Sequence, residues 1–172
     1  YSKEAVNDIL KQYIPEENEK LPNVIAIMSE AFFDPQIAEN LEFLPGKNPL
    51  TEFNMLKKDA MSGSIFVPGF AGGTAQTECE FLSGANITLI DPSMPTIYKT
   101  HIKSSAYNLA SAFKAKNYRT VAIHPGHNWF YNRQNVYKSM EFDELTFLED
   151  LPRDVEMINY YTSGKITADL II

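Results

Sequence analysis

The stretch RTVAIHPGHNWFYNRQNVY, Arg119 to Tyr137, joins a strand-like pattern to a polar loop. Its first part, RTVAIH, is a short apolar run ending at His124, and such runs are typical of strands buried in a parallel sheet. Two earlier runs have the same form, NVIAIMSE at residues 23–30 and SIFVPG at residues 64–69. Because helical patterns separate these runs, the sequence predicts an α/β domain with a mainly parallel sheet flanked by helices.

Four segments carry helical spacing or helix-end signals: residues 2–15, 48–60, 74–83 and 105–118. In the second, Asn48 is the predicted cap and Pro49 the first helical residue. In the third, Thr74 is the predicted N-cap and Gly84 ends the helix. The apolar residues predicted to face inward are Leu50, Phe53 and Leu56 in the second helix and Leu109, Ala110 and Phe113 in the fourth.

Composition excludes several classes of protein. The 172 residues, 44% of them hydrophobic, suit one domain with a core. The net charge of −7 and the lack of a basic cluster argue against nucleic acid as a partner. The single cysteine, Cys79, excludes an internal disulfide and a thiolate metal site. The longest uncharged run, residues 60–77, is broken by glycines and a proline, so it does not form a membrane-spanning helix.

Three polar residues follow or end the predicted strands. Glu30 ends the first, Thr74 follows the second after Gly72 and Gly73, and His124 ends the third. Ligands of open α/β sheets bind at the carboxyl ends of the strands, so these residues form a candidate site. Each also has a structural explanation: a solvated carboxylate for Glu30, a helix cap for Thr74, and a core histidine bonded to a backbone carbonyl for His124.

The loop after His124 strengthens the candidate site. Trp129, Phe130 and Tyr131 lead into Asn132 and Arg133 in one predicted loop. A guanidinium beside aromatic rings suits a phosphate or carboxylate, which it binds with two parallel hydrogen bonds. The alternative is a surface arginine over packed aromatic rings. The other two histidines, His101 and His127, have no such neighbours and are interpreted as surface or structural residues.

Together these segments resemble the lipoteichoic acid synthase type of phosphoglycerol transferase, in the alkaline phosphatase and sulfatase superfamily. The matching stretches are PNVIAIMSEAFFD, GGTAQTECEFLSG and YRTVAIHPGHNWFYNRQNVYKSMEFDEL, which occur in the family's order between about residues 23 and 145. The resemblance implies that Glu30 binds a divalent metal, Mn²⁺ or Mg²⁺. It implies that Thr74 is both a metal ligand and the nucleophile, and that His124 and Arg133 hold the phosphate of the phosphoglycerol group. Tyr131 stands where the family often has a tryptophan against the glycerol.

The resemblance also implies an activity and a location. Phosphatidylglycerol is the expected donor and a glycerol-phosphate polymer or glycolipid of the cell envelope the acceptor, on the extracellular face of the cell membrane, with membrane helices upstream of the chain. Alternatives are a phosphoethanolamine transferase, a phosphate or sulfate ester hydrolase of the same superfamily, and a non-catalytic binding domain. The sulfatase motifs C-x-P-x-R and S-x-P-x-R are absent, since Ile97 stands where SMPTI would need arginine.

Some residues expected from the family are missing. The chain has no Asp-His dipeptide and no histidine after His127, whereas the family takes further metal ligands and a substrate histidine from the second half of its domain. We therefore expect residues 1–172 to be the first half of a sulfatase-like catalytic domain, with a leading helix and linker at 1–20 and an α/β core at 21–172. We expect it to be inactive alone, without firmly bound metal, and to need the other half of its domain as a partner.

Overall fold

The computed structural model describes residues 4, 8, 21–29, 32–69, 72–90, 98, 102 and 107–171. The chain divides into two compact units, residues 1–32 and 33–172. Most of the predicted leading helix, Glu30 and His101 lie outside the described residues. All helices and strands given below belong to the second unit.

A two-stranded parallel sheet confirms the predicted fold class. Strand β1, Val121–His124, pairs with strand β2, Glu144–Phe147, and His124 lies opposite Phe147 in the register. Strand β1 was predicted from the sequence, whereas β2 was not. The chain between them forms a short 3₁₀ turn, Phe130–Asn132, and a helix, Arg133–Ser139, as parallel neighbours require a crossover connection.

Six α-helices have both of their ends within the described part of the chain. We number them α1, Thr51–Asp59; α2, Thr74–Ser83; α3, Ile87–Ile90; α4, Leu109–Lys114; α5, Arg133–Ser139; and α6, Gly164–Asp169. A short antiparallel hairpin joins β3, Met157–Ile158, to β4, Tyr161–Thr162. Two further 3₁₀ turns cover Pro35–Ile37 and Leu148–Asp150.

The core lies where α2, α5 and β2 meet. Its buried members are Ala75, Cys79, Ile87, Tyr98, Val136, Tyr137, Met140 and Phe147. Tyr137 of α5 stacks on Phe147 of β2 with ring centroids 6.2 Å apart. Burial of these apolar side chains is the main force that fixes α2 against α5 and β2.

The ends of α2 follow the glycines of the sequence, with one correction. Gly84 adopts a left-handed conformation (φ 68°) and donates its N–H to the Glu80 carbonyl, which confirms the predicted helix end. At the start, Gly73 (φ 84°) is the N-cap, so Thr74 is the first helical residue rather than the cap. Glycine adopts this conformation without the Cβ clash that threonine would suffer, and the cap therefore moves one residue upstream.

Two of the predicted strands are wrong. Residues 21–29 form no strand and are exposed, with Ile27 at 74%. The run at residues 64–69 is also not a strand, and Phe66 is fully exposed. A strand needs neighbouring strands for its N–H and C=O groups, and within the described residues β1 and β2 pair only with each other. The apolar pattern alone therefore does not produce a strand.

The other helix predictions need smaller corrections. Helix α1 begins at Thr51, because the Asn48 side chain accepts the N–H of Leu50 in a turn before the helix. Of its predicted inward face only Leu50 is buried; Phe53 and Leu56 are exposed. Helix α4 is shorter than predicted and begins after Asn108, whose side chain forms a reciprocal capping box with Ser111.

Asp143 connects the beginnings of the two parallel strands. Its Oδ2 accepts hydrogen bonds from the N–H of Thr120 at 2.8 Å and from its hydroxyl at 2.9 Å. Its Oδ1 lies 2.9 Å from Lys114 Nζ at the end of α4. The hydrogen bond from the Thr120 backbone and then the ammonium of Lys114 lower the pKa of Asp143 from 3.8 to about 2.

We predict that Asp143→Asn destabilises the protein in a pH-dependent way. The native state favours the carboxylate, so the contribution of Asp143 is complete above pH 4 and disappears as the pH falls through about 2. In urea unfolding, the free energy of unfolding should be lower for the variant than for the wild type at pH 7. This difference should disappear toward pH 2. Glu144→Gln, which breaks an exposed ion pair with Arg119, should change little at either pH. A difference in the free energy of unfolding that does not depend on pH would contradict this role of the Asp143 carboxylate.

Candidate active site

A buried ion pair joins α2 to α5. Arg133, the first residue of α5, is only 2% exposed. Its Nε lies 3.0 Å from both carboxylate oxygens of Glu78 in α2, and its Nη2 lies 2.9 Å from Glu78 Oε1. Arg133 was predicted to lie in a loop, with a surface arginine as the alternative; it is instead a buried helical residue whose charge is balanced by Glu78.

The remaining nitrogen of the same guanidinium points to β1. Arg133 Nη1 lies 3.3 Å from His124 Nε2 and 3.4 Å from the Phe130 carbonyl. A guanidinium has only donors, so His124 Nε2 must be the acceptor and the ring proton must be on Nδ1. This bond fixes the tautomer of His124 and leaves Nδ1–H as its donor. The core-histidine alternative, with a backbone carbonyl as partner, does not describe this arrangement.

His124 is neutral near pH 7. Burial, followed by the positive charge of Arg133, lowers the pKa of its imidazole from 6.5 to about 4, while Glu149 opposes the shift. With Glu78 and Arg133 balancing each other, the three side chains carry no net charge. The group therefore offers oriented N–H donors rather than an unpaired positive charge.

Gly126 leaves the space that the imidazole fills. A Cβ at position 126 would lie 2.9 Å from His124 Nε2, closer than non-bonded atoms approach. The loop that contains Gly126 is tied to the segment after β2, where the Leu148 N–H donates to the Gly126 carbonyl at 3.0 Å. Farther along the loop, Glu149 binds His127 Nδ1 at 2.8 Å and the Asn128 N–H at 3.0 Å. His127 is half exposed, as a surface histidine would be.

Two aromatic rings cover the guanidinium. Arg133 Cζ lies 5.0 Å from the Tyr131 ring centroid and 5.6 Å from that of Phe130. Both Tyr131 (φ 55°) and Asn132 (φ 62°) have left-handed backbones immediately before Arg133. Tyrosine pays on the order of 1–2 kcal/mol for this conformation. Strain of this kind persists where the surroundings demand a particular side-chain direction, and it accumulates at functional sites.

Two buried tyrosines, Tyr98 and Tyr137, lie near Glu78. Burial and then the negative charge of Glu78 raise the pKa values of both Tyr98 and Tyr137. The Tyr98 hydroxyl is buried without a hydrogen bond of ordinary geometry, and so is the hydroxyl of Thr77. The carboxylate of Glu78 is largely buried and is held by Arg133.

Thr74 lies one turn before Glu78 on α2. Residues four apart share a helix face, so the predicted nucleophile and the partner of Arg133 lie on the same side of α2. Thr74 is half buried at the start of α2, where the helix dipole favours a nearby anion. Tyr131, His124 and Arg133 are in mutual contact through the guanidinium, and Glu78 links them to the helix of Thr74.

The metal prediction is only partly addressed by the described residues. Glu30, the other predicted ligand, lies outside them. Among the residues that are described, no three His, Cys, Asp or Glu side chains are grouped closely enough to hold a metal. Thr74 would be a single hydroxyl ligand, and a tight site needs several oxygen or nitrogen ligands. The described residues alone thus do not form a fitting metal site.

Residues 22–171 match the sequence model of the family described as Sulfatase. The chain belongs to the sulfatase family. This match confirms the superfamily indicated by the sequence motifs, whose members are generally metal-dependent. Within the described parts of this sulfatase-family chain, no helix is long and apolar enough to cross a membrane.

Two curated relatives are similar to the chain over most of its length. It is 32% identical to a putative cyclic beta-1,2-glucan modification protein of Rhizobium meliloti over 151 residues, which cover 87% of the chain and 22% of that protein. It is 25% identical to an uncharacterized protein of Haemophilus influenzae over 135 residues, or 78% of the chain and 24% of that protein. The sulfatase-family chain therefore spans about a quarter of the length of these relatives.

Two solved structures share the fold. The lipoteichoic acid synthase LtaP from Listeria monocytogenes superposes with a TM-score of 0.55 at 15% identity, over 64% of this chain and 26% of that one. The Streptococcus pyogenes phosphoglycerol transferase GacH, in complex with sn-glycerol-1-phosphate, superposes with a TM-score of 0.61 at 20% identity. The superposition covers 71% of this chain and 33% of that one. At these identities the likeness shows only a shared fold, which agrees with the sulfatase family of the chain.

Glu78, the partner of Arg133, was not among the site residues predicted from the sequence. The signal was present in GGTAQTECEFLSG, where a glutamate follows the threonine at a spacing of four and thus lies on the same helix face. A glutamate on the face of a proposed nucleophile is a candidate partner for a nearby arginine. Only the packing of α5 against α2 shows which arginine it meets.

We predict that Gly126→Ala displaces His124 in this sulfatase-family protein. The new methyl group would push the imidazole away from Arg133 and out of its buried position, removing both causes of its low pKa. In NMR titrations, His124 should titrate near pH 4 in the wild type and closer to 6.5 in the variant. Gly164→Ala, where nothing lies within 4 Å of the added Cβ, should leave that pKa unchanged. An unaltered titration in Gly126→Ala would contradict the geometry.

Proposed function

We propose that the chain is part of a phosphoglycerol transferase that moves glycerol phosphate from phosphatidylglycerol to a cell-envelope acceptor. The observation that carries the proposal is the cluster of Arg133, His124 and Tyr131 beside the carboxyl end of β1. This cluster is connected through Glu78 to the helix that begins at Thr74. The sulfatase-like fold, shared with a lipoteichoic acid synthase and a phosphoglycerol transferase, supports it. The location is the extracellular face of the cell membrane, with the anchor elsewhere in the protein.

The reaction proceeds in two displacements at phosphorus. In the first, Thr74 Oγ attacks the phosphorus of phosphatidylglycerol, the bond from phosphorus to the diacylglycerol oxygen breaks, and diacylglycerol leaves with the proton of the threonine. In the second, an acceptor hydroxyl attacks the same phosphorus, the bond to Thr74 Oγ breaks, and the acceptor proton returns to Thr74. Splitting the transfer in this way is covalent catalysis.

His124 and Arg133 hold the phosphate of the phosphoglycerol group in this proposal. His124 donates through Nδ1–H, because Nε2 is occupied by Arg133. Arg133 contributes its positive charge and the orientation of His124, because Nε and Nη2 meet Glu78 while Nη1 meets His124 and the Phe130 carbonyl. Pre-oriented donors of this kind stabilise charge that develops on phosphoryl oxygens without reorganising during the reaction. Tyr131 forms an aromatic wall for the glycerol.

The acceptor is a hydroxyl of a cell-envelope polymer or glycolipid. The Rhizobium meliloti relative is described as a protein of cyclic beta-1,2-glucan modification, so a glucan is one specific acceptor to test beside a glycerol-phosphate polymer. For the metal, Glu30 and Thr74 are the proposed ligands on this chain for Mn²⁺ or Mg²⁺, with the remaining ligands from elsewhere in the protein. A bound dication lowers the pKa of a coordinated hydroxyl.

We predict that Thr74→Ala in the full-length protein lowers the release of diacylglycerol from phosphatidylglycerol by about 10³-fold or more, because no other oxygen replaces the nucleophile. Thr74→Ser should retain measurable turnover. Thr77→Ala is the matched control on the same helix: it removes a buried hydroxyl without a hydrogen bond and should leave turnover intact. Turnover by Thr74→Ala at the wild-type rate would exclude Thr74 as nucleophile.

We predict that Glu30→Gln weakens Mn²⁺ binding to the full-length protein by at least about tenfold, because a ligand charge is lost. Isothermal titration calorimetry measures this without reference to activity. Glu42→Gln, which changes an exposed carboxylate, is the control and should bind as the wild type does. Equal affinity in both variants would rule out Glu30 as a ligand, whereas a folded wild type with no affinity would favour the non-catalytic binding domain.

A further inference from the structure

We propose that Glu78 is a positioning residue of the transferase. Its carboxylate sets the orientation of Arg133, and through Arg133 it sets the tautomer of His124 that faces the substrate phosphate. The inference rests on the proposed function. Glu78 itself does not touch the substrate in this account.

The contacts of Arg133 leave its guanidinium a single orientation. Nε and Nη2 both meet Glu78, at 3.0 and 2.9 Å, so the carboxylate binds one edge of the planar group. A guanidinium held along one edge cannot rotate about its long axis without breaking two charge-assisted hydrogen bonds. Its opposite corner, Nη1, is thereby directed at His124 Nε2.

Stability alone does not account for this ion pair. The side chains of Arg133 and Glu78 are only 2% and 12% exposed. Removing two charges from water costs several kcal/mol per ion, and apolar residues of similar size are often equally or more stabilising. A buried pair is therefore poor as a device for stability. The ion pair does fix the orientation of the Arg133 guanidinium, and this orientation directs Nη1 at His124, the proposed substrate-binding histidine.

The position of Glu78 on α2 supports the same role. Thr74 lies one turn earlier on the same face, so the nucleophile and the residue that orients Arg133 are carried by one rigid helix. The side chains of Tyr98 and Tyr137, which the charge of Glu78 influences, are also buried. Placement of Arg133 and His124 relative to Thr74 thus depends on a single carboxylate.

The test uses steady-state kinetics of the full-length protein with phosphatidylglycerol and a double-mutant cycle. The variants are Glu78→Gln, Arg133→Gln and the combination of both. Glu144→Gln is the matched control, because it removes a carboxylate from another Glu–Arg pair, with Arg119, that is exposed and on the far end of β2. Thermal unfolding of each variant is measured beside kcat and KM.

Glu78→Gln should raise KM by about tenfold or more, with a smaller change of kcat per folded molecule. In the Arg133→Gln background the same change should raise KM no further, because Glu78 acts through Arg133. Glu144→Gln should match the wild type. Additive effects on KM in the double variant, or a normal KM in folded Glu78→Gln, would overturn the proposal.

A variant that fails to fold does not end the test. Glu78→Asp keeps the charge but shortens the side chain by one methylene, so its carboxylate cannot reach both Nε and Nη2 from the same backbone position. A folded Glu78→Asp with raised KM supports the positioning role, and one with wild-type KM contradicts it. If the wild type itself releases no diacylglycerol, the proposed function fails, which is a different result from an unaltered KM in the variants.

Discussion

The ion pair between Glu78 and Arg133 determines how the three elements of the candidate site are arranged. It connects α2 to α5, and the third nitrogen of the same guanidinium connects both to His124 at the end of β1. The apolar core brings these elements together but does not specify how the polar side chains of the site are oriented. The ion pair does specify direction, because a planar guanidinium bound along one edge has only one corner left for the histidine.

Neighbouring features of the chain are consistent with that constraint. Gly126 leaves room for the His124 ring, and the left-handed backbones of Tyr131 and Asn132 bring an aromatic ring over the guanidinium just before α5 begins. Each of these features is local and costs stability or freedom of sequence. These features have one effect in common, since all of them determine where Arg133 and His124 lie.

Sequence patterns predicted the local features well and the long-range ones poorly. The strand ending at His124 and the helix end at Gly84 follow from short patterns with direct backbone consequences, and both are present. The apolar runs at residues 23–30 and 64–69 were predicted as strands, yet their described residues are exposed and not in a sheet. Apolar character indicates a preference for burial, whereas a strand also needs partners that the described residues do not provide.

In the candidate site, too, local motifs were predicted from the sequence and long-range contacts were not. Motif resemblance placed Thr74, His124, Tyr131 and Arg133 in one site, but it could not show that Arg133 is buried and balanced by a glutamate 55 residues away. That contact depends on how α5 packs on α2, which no spacing within either helix encodes. Its consequence is chemical: the site offers a neutral histidine and oriented N–H donors rather than an unpaired positive charge.

The most direct measurement of the central claim is a search for the covalent intermediate. Full-length protein is mixed with phosphatidylglycerol in the absence of acceptor, quenched in acid, digested and examined by mass spectrometry. The account predicts a phosphoglycerol group on the peptide that contains Thr74, and its disappearance when acceptor is added before the quench. Release of diacylglycerol with no adduct, or with the adduct on another residue, would contradict it.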